Sequence, residues 1–282
     1  MYRYFWSYLP NTILYAQDKD GDENWRVYAL DVTTQSARVL TPAEKVKAQI
    51  YQVSPKHPGR ILIGLNDRNA EYHDIYELDL ATGERTLVFQ NDEFAGFVTD
   101  DDLALRFAEK VTPDGGTEYF RRGADGAWES FLKISQEDSL TTGPAGFDKT
   151  GRVLYMMDSR GRDTGALFSW NLDTDEKKLI AESDKADIGG IMSHPTEKTI
   201  QAVSFNYLKA EWRVLDESVR ADFDYLRTVA DGQIEFTSGT HDDRVWILAY
   251  IDDDGPVRYY RYDRDASKAE FLFVHRGSAC RR

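Results

Sequence analysis

The densest set of candidate metal ligands is the run QDKDGDEN at residues 17–24, where Asp18, Asp20 and Asp22 recur at every second position. Carboxylates at that spacing are what a calcium loop of the EF-hand kind presents at its positions 1, 3 and 5, with glycine at 6 and a bidentate glutamate at 12. Counted from Asp18, position 6 is Glu23 and position 12 is Ala29, while Gly21 falls at position 4. Both the sharp turn and the strongest ligand are therefore missing. The corresponding places further along read NDRNAEYHD, DSRGRDTGA and DDDGPVR, where acids vary but Asn, Asp and Gly persist. Those residue types tolerate positive φ and bond their own backbone, so the run is expected to be a hairpin turn.

Other chemistry-bearing residues are as sparse. The five histidines, His57, His73, His194, His241 and His275, form no H-E-x-x-H or closely spaced metal pair, and each is expected in or beside a turn or on the surface. No G-x-S-x-G nucleophile elbow occurs, and RGSACRR near the C-terminus lacks the strand-turn-helix setting that strains such a serine. Glycine-rich phosphate loops are absent. The single cysteine, Cys280, excludes an internal disulfide framework and a Cys-rich zinc site, and is expected to be a free thiol in the tail. No residue is assigned a catalytic, cofactor-binding or metal-binding role.

The elements that carry these residues are those of a globular chain. Its 282 residues, 41% hydrophobic and 13% aromatic, suffice for a sizeable core rich in β-preferring side chains. The net charge of −14, with no basic stripe interleaved with aromatics, makes nucleic acid and anionic membrane poor partners. No apolar run approaches a membrane span, and MYRYFWSYLP lacks the basic start and apolar core of a signal peptide. With one cysteine, a reducing, cytoplasmic setting is expected, although the true N-terminus may lie upstream and have carried a signal.

Self-similarity organises the rest. TILYAQDKDGDENWRVYALDVTTQSARVL aligns by pattern with ILIGLNDRNAEYHDIYELDLATGERTLVF, VLYMMDSRGRDTGALFSWNLDTDEKKLI and VWILAYIDDDGPVRYYRYDRDASKAEFLF. With two weaker repeats, this gives about six units at a period of roughly 43 to 49 residues, the range of propeller blades. Each unit reads as an alternating run, an acid-rich turn, a second alternating run ending in Asp, a short polar turn and a last apolar run. A further short run, namely YRYFW, AQIYQV, FAGFV, TTGPAGF, IGGIM or IEFTS, precedes each. Four short antiparallel strands per unit describe an all-β fold, a β-propeller of about six four-stranded antiparallel blades. Degraded Pro/Asp turns, SPKHPGR, FDKTGR and SHPTEKT, join the first two strands.

One segment departs from the rhythm. In DESVRADFDYLRTV, Val219, Phe223 and Leu226 recur at helical spacing behind Asp216, a good N-cap. A short surface helix is expected over residues 218–228, inserted between a third and a fourth strand and covering a propeller face.

These strings carry a resemblance. YFW…ILYAQDKDGDENWRVYALDV, the run from LTP to LDLATGE, and then TPDGGTE, MDSRGRD, IGGIMSHP, EWRVLD and DDGPVRYYRYDR…FLFVHR resemble the N-terminal propeller of prolyl oligopeptidase family serine peptidases. The branch is that of the acylaminoacyl peptidases and bacterial dipeptidyl aminopeptidases. The resemblance reaches Arg276, so residues 1–276 are expected to be the propeller and 277–282 a tail, a frame end or a scar.

The resemblance implies a first blade upstream of YFW and, downstream, an α/β-hydrolase domain bearing the Ser, Asp and His of a triad. Both are expected to be missing here, leaving an incomplete seven-bladed ring or one re-closed at six. It further implies a propeller that needs no cofactor, does no chemistry of its own, and admits narrow peptides to the hydrolase domain of a parent serine-type exopeptidase or oligopeptidase. Peptide substrates and that domain in cis are its partners. Unpaired edges of the first and last blades predict self-association. A stand-alone TolB-type propeller, an interaction scaffold, is the alternative that the degraded turns also suggest. A propeller that is itself a glycosidase or lyase would need inward carboxylates or metal-binding histidines, and sialidase Asp boxes do not occur.

Overall fold

A computed structural model describes residues 3–41, 44–123 and 125–275. The tail at 277–282 and Cys280 lie outside the described residues. Residues 1–139 form one compact unit and 140–282 a second, and each holds three sheets.

The first unit opens with β1 (Arg3–Trp6), β2 (Thr12–Gln17), β3 (Arg26–Asp31) and β4 (Ser36–Val39). Its second sheet is β5 (Ala48–Val53), β6 (Arg60–Leu65), β7 (Asp74–Asp79) and β8 (Arg85–Phe89). The third is β9 (Gly96–Thr99), β10 (Leu105–Val111), β11 (Thr117–Arg122) and β12 (Trp128–Ile134). The second unit continues with β13 (Gly143–Phe147), β14 (Val153–Asp158), β15 (Ala166–Asn171) and β16 (Lys177–Ala181). Then come β17 (Ile188–Ser193), β18 (Ile200–Asn206) and β19 (Ala210–Val214), a 3-10 turn at Glu217–Val219 and the helix α1 (Arg220–Leu226). The last sheet is β20 (Gln233–Gly239), β21 (Val245–Ile251), β22 (Arg258–Asp263) and β23 (Lys268–Val274). Within every sheet the strands lie in chain order and pair antiparallel. This is the blade pattern of a β-propeller, and the first strands fall where the short leading runs placed them.

The local reasons repeat from sheet to sheet. At the turn between third and fourth strands, the terminal Asp or Asn accepts two following amides: Asp31 from Thr33 and Thr34 at 2.8 and 3.0 Å, Asp79 from Ala81 and Thr82 at 2.8 Å each, Asn171 from Asp173 and Thr174. These amides hold the Asp31 and Asp79 carboxyls below the usual carboxylate range. The Asp or Asn that closes these third strands is thus a turn residue.

Packing between neighbouring sheets explains a departure from simple alternation. Ile61, Ile63 and Leu65 face the first sheet, where they pack with Leu14 and Val27, but Leu62 faces the third, with Phe94, Phe97 and Leu105. All of β6 after Arg60 is buried because both faces meet a neighbour. In the second unit β18 does the same, with Val203 and Phe205 packed beside Leu167, and Ala202 with Trp246 and Leu248. Fourth strands such as β4 and β23 are mostly exposed.

Two expectations about the fifth sheet are corrected. It has three strands, so the blades are not uniformly four-stranded. The helix follows the third strand, and among the described residues no fourth strand pairs with β19. As expected, the helix covers a sheet face: Val219, Phe223 and Leu226 are fully buried against Trp246, Tyr250 and Tyr262, while Ala221 and Asp224 on its other side are exposed. The helix also attends to the open edge of β19. Arg227 donates to the Trp212 carbonyl at 3.1 Å, Arg220 approaches that of Val214 at 3.5 Å, and the Ala210 amide donates to Gln233 Oε1 at 2.7 Å. Side chains thus take over part of what a partner strand would supply. Asp216 caps the segment as expected, accepting from the Ser218 amide at 2.9 Å.

Candidate functional site

In the fifth sheet the first strand, β17, carries two adjacent glycines, Gly189 and Gly190. A Cβ on Gly190 would lie 2.8 Å from Ser204 Oγ, which it would displace, and at ordinary contact distance, 3.5 Å, from the Trp212 ring. Trp212, on β19, reaches to the sixth sheet and donates its Nε1–H to the Ile234 carbonyl at 2.8 Å. Its ring meets Phe236 edge to face, with centroids 5.2 Å apart. Between β17 and β20 this leaves a cavity of about 600 Å³, walled by Met192, Trp212, Phe236 and Trp246 and fringed by Ser193, Ser238 and Thr240.

A buried polar cluster forms the floor. Asp243, in the β20–β21 turn at φ +57°, accepts from Trp246 Nε1 at 2.7 Å and from Gln201 Nε2 at 2.8 Å. Arg264 donates to the Asp243 carboxylate and, at 2.7 Å, to its carbonyl. The same guanidinium pairs with Asp222 of α1 at 3.0 Å and lies 4.6 Å above the Trp246 ring. Asp222 in turn accepts from the Tyr262 hydroxyl at 2.7 Å, and that bond follows burial as the second cause holding the Tyr262 pKa above its ordinary value. One arginine is thereby shared by two buried carboxylates, an arrangement that fixes the helix, the turn and the sheet to one another.

The histidines lie where turns were expected. His194 closes its own turn: Nδ1 accepts the amides of Thr196 and Glu197 at 3.3 and 3.1 Å, which leaves the proton on Nε2, 3.9 Å from Asp243. His57 Nδ1 meets Arg60 at 3.0 Å in the β5–β6 turn. His241 lies in the β20–β21 turn, and the His275 amide closes onto Val257 O. His73 departs from a surface reading. It is half-buried beside a 460 Å³ cavity in the first unit, its Nε2 has no partner among the described residues, and burial, then the charge of Lys47, lowers its pKa.

The acid run forms the loop between β2 and β3, with Asp20, Gly21 and Glu23 all at positive φ. Its carboxylates serve the loop's own backbone: Asp22 accepts the amides of Lys19 and Asn24 at 3.1 Å each, and Asp18 that of Glu23 at 3.4 Å. The Lys19 amide first, then that of Asn24 and the charge of Arg26, hold Asp22 below the usual carboxylate range. Trp212, Phe236, Asp243 and Arg264 had no motif to reveal them. The one available signal is IGGIM, the leading run with two adjacent glycines.

Fold and geometry together define the class, a β-propeller domain with a cavity between the first strands of its last two sheets. No family model matches the chain. It is 47% identical over 274 residues to dipeptidyl aminopeptidase BIII of Pseudoxanthomonas mexicana, covering 97% of this chain and 40% of that protein. It is 33% identical over 290 residues to dipeptidyl peptidase family member 6 of Caenorhabditis elegans, covering 97% and 39%. The chain is therefore a propeller similar along almost its whole length to part of a dipeptidyl aminopeptidase, in line with its sequence strings, and it spans about two fifths of the length of the curated relatives it matches.

Solved structures share the fold alone. A prolyl endopeptidase aligns at a TM-score of 0.65 and 14% identity over 95% of this chain and 41% of its own. TolB of Acinetobacter baumannii aligns at 0.55 and 12% over 94% and 64%. An oligogalacturonate lyase of Vibrio parahaemolyticus aligns at 0.61 and 14% over 98% and 78%.

Proposed function

We propose that this chain is the non-catalytic propeller of a serine-type dipeptidyl peptidase, and that it gates peptide access to an α/β-hydrolase domain carried in cis by a longer protein. The observation that carries this reading is the match to a dipeptidyl aminopeptidase along almost the whole chain. Sequence composition supports it, because no nucleophile elbow occurs in these 282 residues. A propeller beside a hydrolase acts by size and shape, so the selection it imposes is on the length and width of the peptide. We further propose that the exposed apolar run of β23 supports self-association.

The test compares this chain with its own gene's longer product. The chain alone is expected to release no p-nitroaniline from dipeptidyl anilides. Joined to the hydrolase domain, it is expected to allow turnover of short peptides and exclude folded proteins. Turnover by the pure chain that serine reagents abolish would overturn the reading.

A second reading, a stand-alone TolB-like interaction scaffold, is favoured by the shared fold with TolB. The reading frame beyond Arg282 separates the two. A G-x-S-x-G string within a few hundred residues supports the gate, and a stop codon supports the scaffold.

A further inference from the structure

One hydroxyl of the cavity between β17 and β20 has no hydrogen-bond partner among the described residues. It belongs to Ser204 on β18, which lines the cavity and is only 7% exposed. Cross-strand register sets Ser204 beside Gly190 on one side and Trp212 on the other, so all three stand on the face that meets the sixth sheet. Taking a hydroxyl out of water without a bond is unfavourable, and the cavity is the side from which a partner can reach it.

The other polar groups of the walls are engaged. Trp212 Nε1 donates to the Ile234 carbonyl, Trp246 Nε1 to Asp243, and the Asp243 carboxylate is held by Arg264 and Gln201. Glu235 precedes Phe236 on β20, and its register with Ala249 turns its carboxylate to the opposite face of the sheet. The walls thus offer no free charge. What remains is aromatic surface, with Phe236 edge to face against Trp212 and Trp246 at 5.2 and 5.3 Å and Met192 beside them.

A ring gains from edge-to-face contact beyond the area it buries, and a thioether sulfur adds to that gain. A charged ligand would lose its hydration without meeting a counter-charge. An aliphatic group or a plain phenyl ring would fill space but leave Ser204 without a bond. A ring that carries a hydroxyl satisfies both the walls and the serine.

We propose that this cavity binds the phenol ring of a tyrosine in an extended peptide, with the ring against Trp212 and Phe236 and its hydroxyl bonded to Ser204 Oγ. The proposal rests on the peptide-gating reading for its choice of a peptide, and it names a side chain that the propeller selects. Its test uses no hydrolase activity, so it can fail while gating stands. A stop codon after Arg282 would remove gating and leave tyrosine binding to be measured on the chain itself.

Acetyl-Gly-Tyr-Gly-amide and its phenylalanine counterpart are titrated into the 282-residue chain, followed by ligand NMR and by tryptophan fluorescence excited beyond tyrosine absorption. The tyrosine peptide is expected to bind about fivefold more tightly, the effect of one hydrogen bond in a partly closed site. With Ser204→Ala that ratio is expected to fall to about one, through loss of the tyrosine peptide's advantage. Ser169→Ala, on β15 and outside the cavity, is expected to leave it unchanged. Because the Ser204 hydroxyl bonds no other residue, its removal does not threaten the fold, and circular dichroism verifies this. Equal binding of the two peptides, an unchanged ratio in Ser204→Ala, or no binding overturns the proposal. If p-cresol binds as tightly as the tyrosine peptide, the assignment to a peptide falls.

Discussion

Charged side chains in this chain do their structural work where burial and pairing coincide. Asp158 is the clearest case: it closes β14, is buried, and bonds Arg160 at 2.8 and 2.9 Å as well as Lys177. Burial alone would raise its pKa, but the bonds from Arg160 and then Lys177 outweigh it and hold the carboxyl well below the usual carboxylate range. The folded state therefore binds a proton at Asp158 less readily than the unfolded chain does. Stability from this group is present above the ordinary carboxylate pKa and is lost as the pH falls toward the folded value. Urea unfolding between pH 7 and pH 3 should show Asp158→Asn less stable by about 1–3 kcal/mol at neutral pH. The variant's deficit should stay level down to the ordinary carboxylate pKa and narrow below it. A deficit constant with pH would mean that Asp158 acts through packing alone.

At the scale of elements, the fifth sheet shows how one blade dispenses with a strand. The helix supplies the apolar mass that a fourth strand would leave outside, and its arginines reach the carbonyls of β19. Its last turn is held by the Tyr250 hydroxyl, which donates to the Leu226 carbonyl at 2.6 Å, and Tyr225 takes the Ala269 amide at 3.1 Å. Phe223 stands at the centre, touching Trp212, Phe236 and Trp246 at ring distances of 5.2 to 6.4 Å. Phe223→Ala should cost about 3–5 kcal/mol, because the rings around it are bonded in place and cannot collapse into the space. Arg227→Ala frees the edge of β19 and should change stability much less. Chemical denaturation that ranks Arg227→Ala above Phe223→Ala would show that edge capping, not core filling, is the helix's main contribution.

At the scale of the molecule, the surface question is the exposed run of β23. Phe271, Leu272, Phe273 and Val274 are all exposed, with Phe271 at 56% and Phe273 at 53%, on the outermost strand of the last sheet. Stacking of Phe273 on Tyr259 at 4.7 Å covers one ring face only. An apolar edge strand of this kind pairs readily with another chain. Size exclusion with light scattering should show mass rising with concentration, and Phe271→Lys combined with Phe273→Lys should remove the rise. A wild-type mass that stays monomeric over the whole range would refute association through this strand.

Sequence by itself determined the repeat, the leading strand of each unit, and the turn character of Asp18, Asp20 and Asp22. Those rest on local physics: alternation of side chains along an extended chain, and carboxylates that bond amides within five residues of their own. It also carried the kinship, since EWRVLD, IGGIMSHP and their companions are local strings. What tertiary structure decided is everything that needs two sheets at once. Alternation sets Ile61, Ile63 and Leu65 on one face of β6, yet Leu62 on the other is buried too, because a neighbouring sheet covers that face. Helical spacing located α1, but the loss of the fourth strand and the burial of Val219 and Phe223 depend on the sixth sheet, far along the chain. The cavity was likewise invisible, because Gly190, Trp212 and Phe236 come from three strands whose approach no local pattern records.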